Sequence, residues 1–148
     1  MITDNFRYYI DTSAKCIFTK YSNVLTFHSF ADRTGKAETH PDFDPDFHSI
    51  VDISDCDVRL SSDEIREMAK IAGKIYENQT LGKDAFIVNS VIGHGLTRMF
   101  TSSIPNYQAR SQIFDISTGS VAQDLKAWLD LPDDYVFPTF MKMRCDGI

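Results

Sequence analysis

The sequence has few of the features that reveal a protein's chemistry at once. Its 148 residues include only three cysteines, which are Cys16, Cys56 and Cys145, and none of them belongs to a CxxC pair. An odd number of cysteines without that spacing predicts neither a disulfide framework nor a zinc site, and it favours a reducing cytoplasm. No cofactor motif is present, so we expect neither a metal nor a cofactor.

Positive charge is also scarce. The chain has 15 lysines and arginines against 21 acidic residues, a net charge of −6, and it contains no run of basic side chains. A nucleic-acid partner requires a basic face that neutralises phosphates, so we expect no nucleic-acid binding. The same charge balance disfavours attachment to an anionic bilayer by electrostatics alone.

Long hydrophobic runs are missing as well. No apolar stretch approaches the roughly 20 residues that cross a bilayer, and the N-terminus lacks the basic and apolar segments of a signal peptide. We therefore expect a cytoplasmic protein that is neither exported nor membrane-spanning. The composition, 43% hydrophobic and 24% charged, is typical of one folded domain with a hydrophobic core.

What the sequence does contain is an alternation of strand and helix patterns. Two stretches rich in β-branched and aromatic residues, 6–11 and 15–21, predict an antiparallel hairpin. Further strands are predicted at 49–53, 85–88 and 109–116, with helices between and after them. The order β-β-α-β-α-β-α-β-α predicts an α/β fold: a single mixed, mostly parallel sheet with the hairpin at one edge and about four helices. The apolar run 85–88 should lie inside the sheet.

The four predicted helices differ in pattern. The first, from Leu25 to about Glu38, has an imperfect apolar stripe: Leu25, Phe27, Phe30, Ala31 and Thr34. The second, after Ser61, matches the helical template at Ile65, Met68, Ala69, Ala72, Ile75 and Tyr76, and Gly82 suits the position just past its end. The third should begin near His94 and end before Pro105. The fourth should begin after caps offered by 117–120 and end at Pro132.

The strongest local signal is the start of the second helix. Ser61 and Glu64 have the spacing of a capping box, and Leu60 and Ile65 flank it as a hydrophobic staple. Free amides at such a helix start favour an anion, and a partner kinase could phosphorylate Ser61 or Ser62. The spacing already explains Ser61 as a helix cap, which is the favoured interpretation.

A second candidate site is the predicted start of the third helix. His94 and Arg98 lie one turn apart there and could hold an anionic head group, although a lone histidine at such a position is more often a surface group. An apolar cavity is the other option, but residues at helical spacing are core by default. Its candidate lining is Phe27, Phe30, Phe86, Met99, Phe100 and Trp128. The candidate ligand-binding residues are therefore His94, Arg98, Met99 and Phe100.

Two other kinds of chemistry find little support. Asp42, Asp44 and Asp46 lie between two histidines, but an EF-hand loop would need glycine and glutamate where this chain has Phe47 and Ile53. A solvated loop is therefore the favoured interpretation. No nucleophile elbow surrounds any serine, and no Cys-His pairing is suggested by spacing, so we assign no catalytic residue and expect no enzyme.

Several short motifs resemble a known family. Asp52-Ile53-Ser54 at a strand end and Ser61-Ser62 at a helix start resemble the Asp-Leu-Ser and Asp-Ser-Ser-Gly motifs of SpoIIAA-like proteins, which are STAS-type domains. Leu60 and Asp63 replace the aspartate and the glycine of the second motif. A bacterial SpoIIAA-like subgroup of unknown function, also called STAS/SEC14-like, is similar in the blocks 40–52, 85–88, 95–100, 113–114 and 126–129. The resemblance covers roughly residues 6 to 130.

This resemblance implies a non-enzymatic module. The first hypothesis is that residues 1–131 form a SpoIIAA-like domain that binds an apolar or amphiphilic ligand or a membrane surface, as a peripheral protein in the second case. The alternative is a regulatory protein-interaction domain of the anti-sigma-factor antagonist kind. The tail, 132–148, is too apolar to stay in water, so we expect it to pack on its own domain or on a second copy in a homo-oligomer.

Overall fold

A computed structural model describes residues 5–77, 82–107 and 110–141, with Tyr76 described by its backbone only. In these ranges the strands are β1 (Phe6–Asp11), β2 (Cys16–Tyr21), β3 (Asn23–Leu25), β4 (His48–Asp52), β5 (Cys56–Val58), β6 (Asp84–Val88) and β7 (Ser111–Asp115). The helices are α1 (Phe27–Glu38), α2 (Ser62–Tyr76), α3 (Val91–Ser102) and α4 (Val121–Leu129). Short 3-10 turns cover Ile116–Thr118 and Thr139–Met141.

The predicted fold class is confirmed. A five-stranded sheet has the order β1-β2-β4-β6-β7, in which β1 is antiparallel to β2 and every other pair is parallel. The strand predicted at 85–88 lies inside the sheet, between β4 and β7. The sequence did not predict β3 and β5, which pair with each other in a separate parallel ribbon. They continue the parallel neighbours β2 and β4 beyond the main sheet, so they too run side by side.

Two layers cover the main sheet. The parallel strands β2, β4, β6 and β7 are neighbours in that order, and α1, α2 and α3 connect them. Right-handed crossovers place such helices on the same face of the sheet, and α1, α2 and α3 lie together there. We call this the three-helix face. The opposite face, which we call the α4 face, is covered by α4 and by the C-terminal segment. Side chains alternate along each strand, so Phe18 and Ile50 point to the α4 face, whereas Thr19 and Val51 point to the three-helix face.

Helix α1 differs from its prediction at the N-terminal end. It begins at Phe27, because Thr26 caps it through the Ser29 amide, and Leu25 belongs to β3 instead. The predicted apolar stripe is confirmed at Thr34, which is buried, and at Phe30, which packs against the core, but it was wrong at Ala31, which is exposed. The buried positions of α1 are Ser29, Arg33, Thr34 and Ala37.

The capping box of α2 is confirmed. The Glu64 amide donates to Ser61 Oγ at 3.1 Å, and the Ser61 amide donates to Glu64 Oε1 at 2.9 Å. The prediction for the other end was wrong, because α2 ends at Tyr76 with Glu77 as a right-handed C-cap. Gly82 therefore does not cap it.

The starts of α3 and α4 also need correction. Helix α3 begins at Val91, earlier than predicted, because Ser90 Oγ accepts from the Gly93 amide. Ser120 precedes α4 but forms no side-chain cap there, since its hydroxyl donates to Asp124 Oδ2 at 2.9 Å. None of the described helices combines the length and the apolar character needed to cross a membrane.

The C-terminal segment packs on its own domain as far as residue 141. Tyr135 stacks on Phe18 with ring centroids 6.2 Å apart, and Phe137 meets the same ring edge-on. The Tyr135 hydroxyl also donates to Asp11 Oδ2 at 2.7 Å. Burial would raise the pKa of Asp11, but hydrogen bonds from Tyr135, Ser13 and Ala14 lower it below its ordinary value. The first of the two predicted packing modes is thus confirmed for 132–141; residues 142–148 lie outside the described ranges.

Candidate ligand cavity

A cavity of about 100 Å³ lies between the three-helix face of the sheet and helices α1, α2 and α3. One water needs ~10–15 Å³ of such space, so the cavity has room for several waters or for a small organic molecule. The exposure of Val51 reflects the position of the cavity. Val51 lies in the middle strand of the sheet, yet it is only half-buried because it faces the cavity.

Most of the cavity wall is apolar. Helix α2 contributes Met68, Ala72 and Ile75, and the ribbon with its flanking turns contributes Leu25, Val58 and Leu60. Phe100 of α3 meets Phe86 of β6 edge-on at 5.9 Å. This wall can hold an apolar body by dispersion contacts and by the hydrophobic effect.

One end of the cavity is polar. Asp84 begins β6 and Ser49 lies near the start of β4, so both mark the amino-terminal edge of the sheet. Arg33 and Thr34 reach this end from α1, and Tyr107 reaches it from the segment after α3. A mainly apolar pocket with a few convergent polar groups is the usual form of a small-molecule site.

Arg33 is the most unusual residue of this polar end. It is only 8% exposed, and its Nε donates to the neutral hydroxyl of Thr19 at 2.9 Å. Its Nη2 has no hydrogen-bond partner, and no described carboxylate oxygen forms an ion pair with it within 4.0 Å. Because buried arginines are almost always paired, an unpaired guanidinium facing a cavity indicates room for an acceptor.

Asp84 also has a carboxylate oxygen without a hydrogen-bond partner. Its side chain is almost fully buried, Tyr107 donates a hydrogen bond to Oδ2, and Oδ1 has no partner. Burial raises the pKa of Asp84 to about 6, although the Tyr107 hydrogen bond and the charges of Arg110 and Arg33 act in the opposite direction. The carboxyl group therefore changes its charge near physiological pH.

Unpartnered polar atoms concentrate at this cavity. The described residues contain four buried side-chain atoms without a hydrogen bond, and three of them, on Arg33, Thr34 and Asp84, belong to residues that line it. The fourth is Asp52 Oδ2 at the carboxyl end of β4. It has an ion-pair partner in Lys20, whose Nζ lies 3.6 Å away. Native proteins leave few such atoms, so their clustering needs an explanation.

The residues predicted at the start of α3 do not converge on one site. Phe100 lines the cavity. His94 lies elsewhere, in an open groove beside the edge strand β7, where its Nε2 is 3.3 Å from Asp115 Oδ2. Arg98 is exposed and Met99 is half-buried, and neither lines the cavity or the groove.

The predicted aromatic lining is divided in the same way. Phe30, Phe86 and Phe100 line the cavity, whereas Trp128 lines the groove beside β7 and meets Phe114 edge-on. Phe27 lines neither. Both interpretations of these aromatic residues, core and cavity wall, therefore apply to different members of the set.

The remaining candidate groups have local structural roles. Ser61 and Ser62 are both exposed, and the Ser61 hydroxyl is occupied in the capping box. In the acidic loop, His40 Nδ1 accepts from the Asp42 amide and Asp44 Oδ1 accepts from the Asp46 amide. A search of the described ranges finds no group of histidines, cysteines and carboxylates that could hold a metal ion.

The two described cysteines are free thiols. Burial raises the pKa of both Cys16 and Cys56 to about 12, with further contributions from nearby aspartates. Both thiols therefore stay protonated at neutral pH, whereas the nucleophilic form of cysteine is the thiolate.

Sequence reasoning missed Arg33, Asp84 and Tyr107. A signal exists for the first two. Arg33 has the helical spacing of Phe30 and Ala37, which places a charge on the inner face of α1. Asp84 shares its strand face with Phe86, because alternate residues of a strand point the same way. Nothing in the sequence indicates that Tyr107 donates to Asp84.

No protein-family model matches this chain, and neither a curated protein nor a solved structure matches it. The geometry of the cavity therefore carries the functional argument.

Proposed function

We propose that this chain is a non-enzymatic binding module for a small amphiphilic molecule. The polar group of the ligand would lie at Arg33 and Asp84, and its apolar body would lie against Met68, Phe86 and Phe100. The observation that carries the proposal is the form of the cavity: its wall is apolar except at one end, where three buried polar atoms lack partners.

The energetics support an occupant. A buried polar atom without a hydrogen bond costs about 1–3 kcal/mol, and the side chains around an unfilled apolar space lose dispersion contacts. An amphiphile would restore both kinds of interaction at once. We favour a ligand in the cavity over a membrane surface because the unfilled space lies between the three-helix face of the sheet and the helices that cover it.

The resemblance to SpoIIAA-like domains stays a prediction. It is compatible with a binding module of this kind. The regulatory alternative rests on Ser62, whose exposed position on the first turn of α2 would admit a kinase.

Native mass spectrometry of protein purified without detergent tests the proposal. We expect a bound molecule of low mass, or, after it is stripped, binding of added octyl compounds. Ala72→Leu should abolish this binding because Ala72 lines the cavity and the larger side chain fills it. Ala31→Leu is the matched control, since Ala31 is exposed on α1.

Two results would contradict the proposal. One is protein that carries no ligand and binds none of the octyl compounds. The other is equal binding by the wild type and by Ala72→Leu, which would place the ligand outside this cavity.

A further inference from the structure

We propose that the polar group of the ligand is a single carboxylate that binds the Arg33 guanidinium, so that the ligand class is a small apolar monocarboxylic acid. This inference rests on the proposed function and makes it more specific. It is carried by the unpaired guanidinium and by the charges around it.

The local charge favours a monoanion. Arg33 from α1 and Arg110 from the segment before β7 both act on Asp84 of β6. The side chains that α2 and α3 contribute to the wall are uncharged. Arg33 and Asp84 are the charged residues that line the cavity, so when Asp84 is protonated the positive charge of Arg33 balances one carboxylate. A phosphate monoester would leave surplus negative charge, and an amine would add positive charge to a buried site.

The geometry of Arg33 also suits a carboxylate. The hydrogen bond from Nε to Thr19 fixes the plane of the guanidinium, and Arg33 lines the cavity with its Nη2 unpartnered. A planar guanidinium binds a carboxylate through short charge-assisted hydrogen bonds, which a lysine could not reproduce in the same way.

Asp84 adds a dependence on pH. Its ionised carboxylate would repel the ligand, whereas its protonated form can donate a hydrogen bond to a ligand carboxylate. Because the pKa of Asp84 is about 6, affinity for a carboxylate should rise as the pH falls from 7.5 to 5.5. A neutral alcohol should show no such rise.

The size of the cavity limits the apolar body. A volume of about 100 Å³ fits a short chain or one ring and excludes a diacyl lipid. Octanoate, octanol, octylamine and octyl phosphate form a suitable probe set because they share one chain and differ only in the polar group.

The test is an NMR titration of the full-length protein with these four compounds at pH 7. We expect octanoate to bind at least tenfold more tightly than the other three. Arg33→Met should weaken octanoate binding at least tenfold. Arg98→Met, a matched change at an exposed arginine outside the cavity, should leave it unchanged.

Several outcomes would overturn the inference while leaving the proposed function intact. These are octanol binding as tightly as octanoate, Arg33→Met binding octanoate normally, or Arg98→Met being the variant that loses affinity. If no octyl compound binds and the purified protein is empty, the proposed function fails as well. If Arg33→Met does not fold, the pH series on the wild type decides: an octanoate affinity that does not rise toward pH 5.5 contradicts the inference.

Discussion

The two faces of the main sheet use alternate residues of the same strands, yet they are packed differently. On the α4 face, Phe18, Ile50, Ile87 and Leu125 are completely buried, and the rings of Tyr135 and Phe137 close over them. The three-helix face contains the cavity. One face is filled and the other retains space.

The two faces also differ in how completely their polar groups are hydrogen-bonded. On the α4 face, the Tyr135 hydroxyl donates to Asp11, and the Lys83 and Lys126 ammonium groups donate to main-chain carbonyls at 2.7 and 2.8 Å. On the three-helix face, Arg33, Thr34 and Asp84 each retain an unpartnered atom. Under the proposed function, the α4 face would serve stability, whereas the three-helix face would give up stability for binding, a common trade-off at functional sites.

The largest expected effect is on the filled face. Leu125→Ala should lower the free energy of unfolding by about 3–4 kcal/mol, because it leaves a new void in a dry core. Met68→Ala, at the cavity wall, should cost less, since part of its surroundings is already empty. Urea denaturation measures both variants, and a larger cost for Met68→Ala would contradict the difference between the faces.

The next largest effect on stability concerns the charge of Asp84 on the three-helix face. The Asp84 pKa of about 6 is raised above its ordinary 3.8, so ionisation of this carboxyl opposes folding. Stability should fall as the pH rises from about 4 to about 6, and the full cost persists above that. A difference of about two pKa units corresponds to at most about 3 kcal/mol.

Asp84→Asn removes this cost and retains an acceptor for Tyr107. The variant should therefore be more stable than the wild type at pH 8, by up to about 3 kcal/mol, and the advantage should vanish near pH 4. Asp134→Asn is the control because Asp134 is exposed. Equal stability of Asp84→Asn and wild type at pH 8 would mean that Asp84 is compensated by interactions other than those described.

Enlarging a side chain should also affect the stability of the two faces differently, although the difference should be smaller than in the preceding tests. Ala85→Val places extra methyl groups in the filled α4 face and should cost about 1–3 kcal/mol. Val51→Ile adds a methylene toward the cavity, and it should be neutral or slightly stabilising because space is available. Thermal unfolding of the two variants provides the measurement, and similar losses in both would indicate that the cavity is closed in solution.

The smallest expected effect is at the C-terminal segment. Tyr135→Phe keeps the stacking on Phe18 but removes the donor to Asp11, which should cost about 1 kcal/mol. Tyr9→Phe is a suitable control, since Tyr9 is half exposed. A cost equal to that of the control would show that the hydrogen bond to Asp11 contributes nothing to closing the α4 face.

Local sequence patterns predicted the secondary structure well where the interactions are short-range. The capping box at Ser61 and Glu64 involves residues three positions apart, so the sequence contains both partners. The predictions failed where tertiary contacts decide: the three-residue strands β3 and β5 exist only because β2 and β4 are neighbours. The predicted position of Gly82 was wrong because α2 ends with its last apolar residue, Tyr76, and Glu77 is its C-cap.

The candidate site, in contrast, depends on tertiary contacts. The sequence displayed Arg33 at a core position of α1 and Asp84 at the start of an apolar strand, but it did not show whether each one has a partner. That depends on the distances between α1, β6 and the segment after α3, which are set by the packing of the whole three-helix face. The sequence by itself determined the alternating fold and the start of α2. Only the tertiary structure decided which buried charges remain unpaired and where a cavity lies beside them.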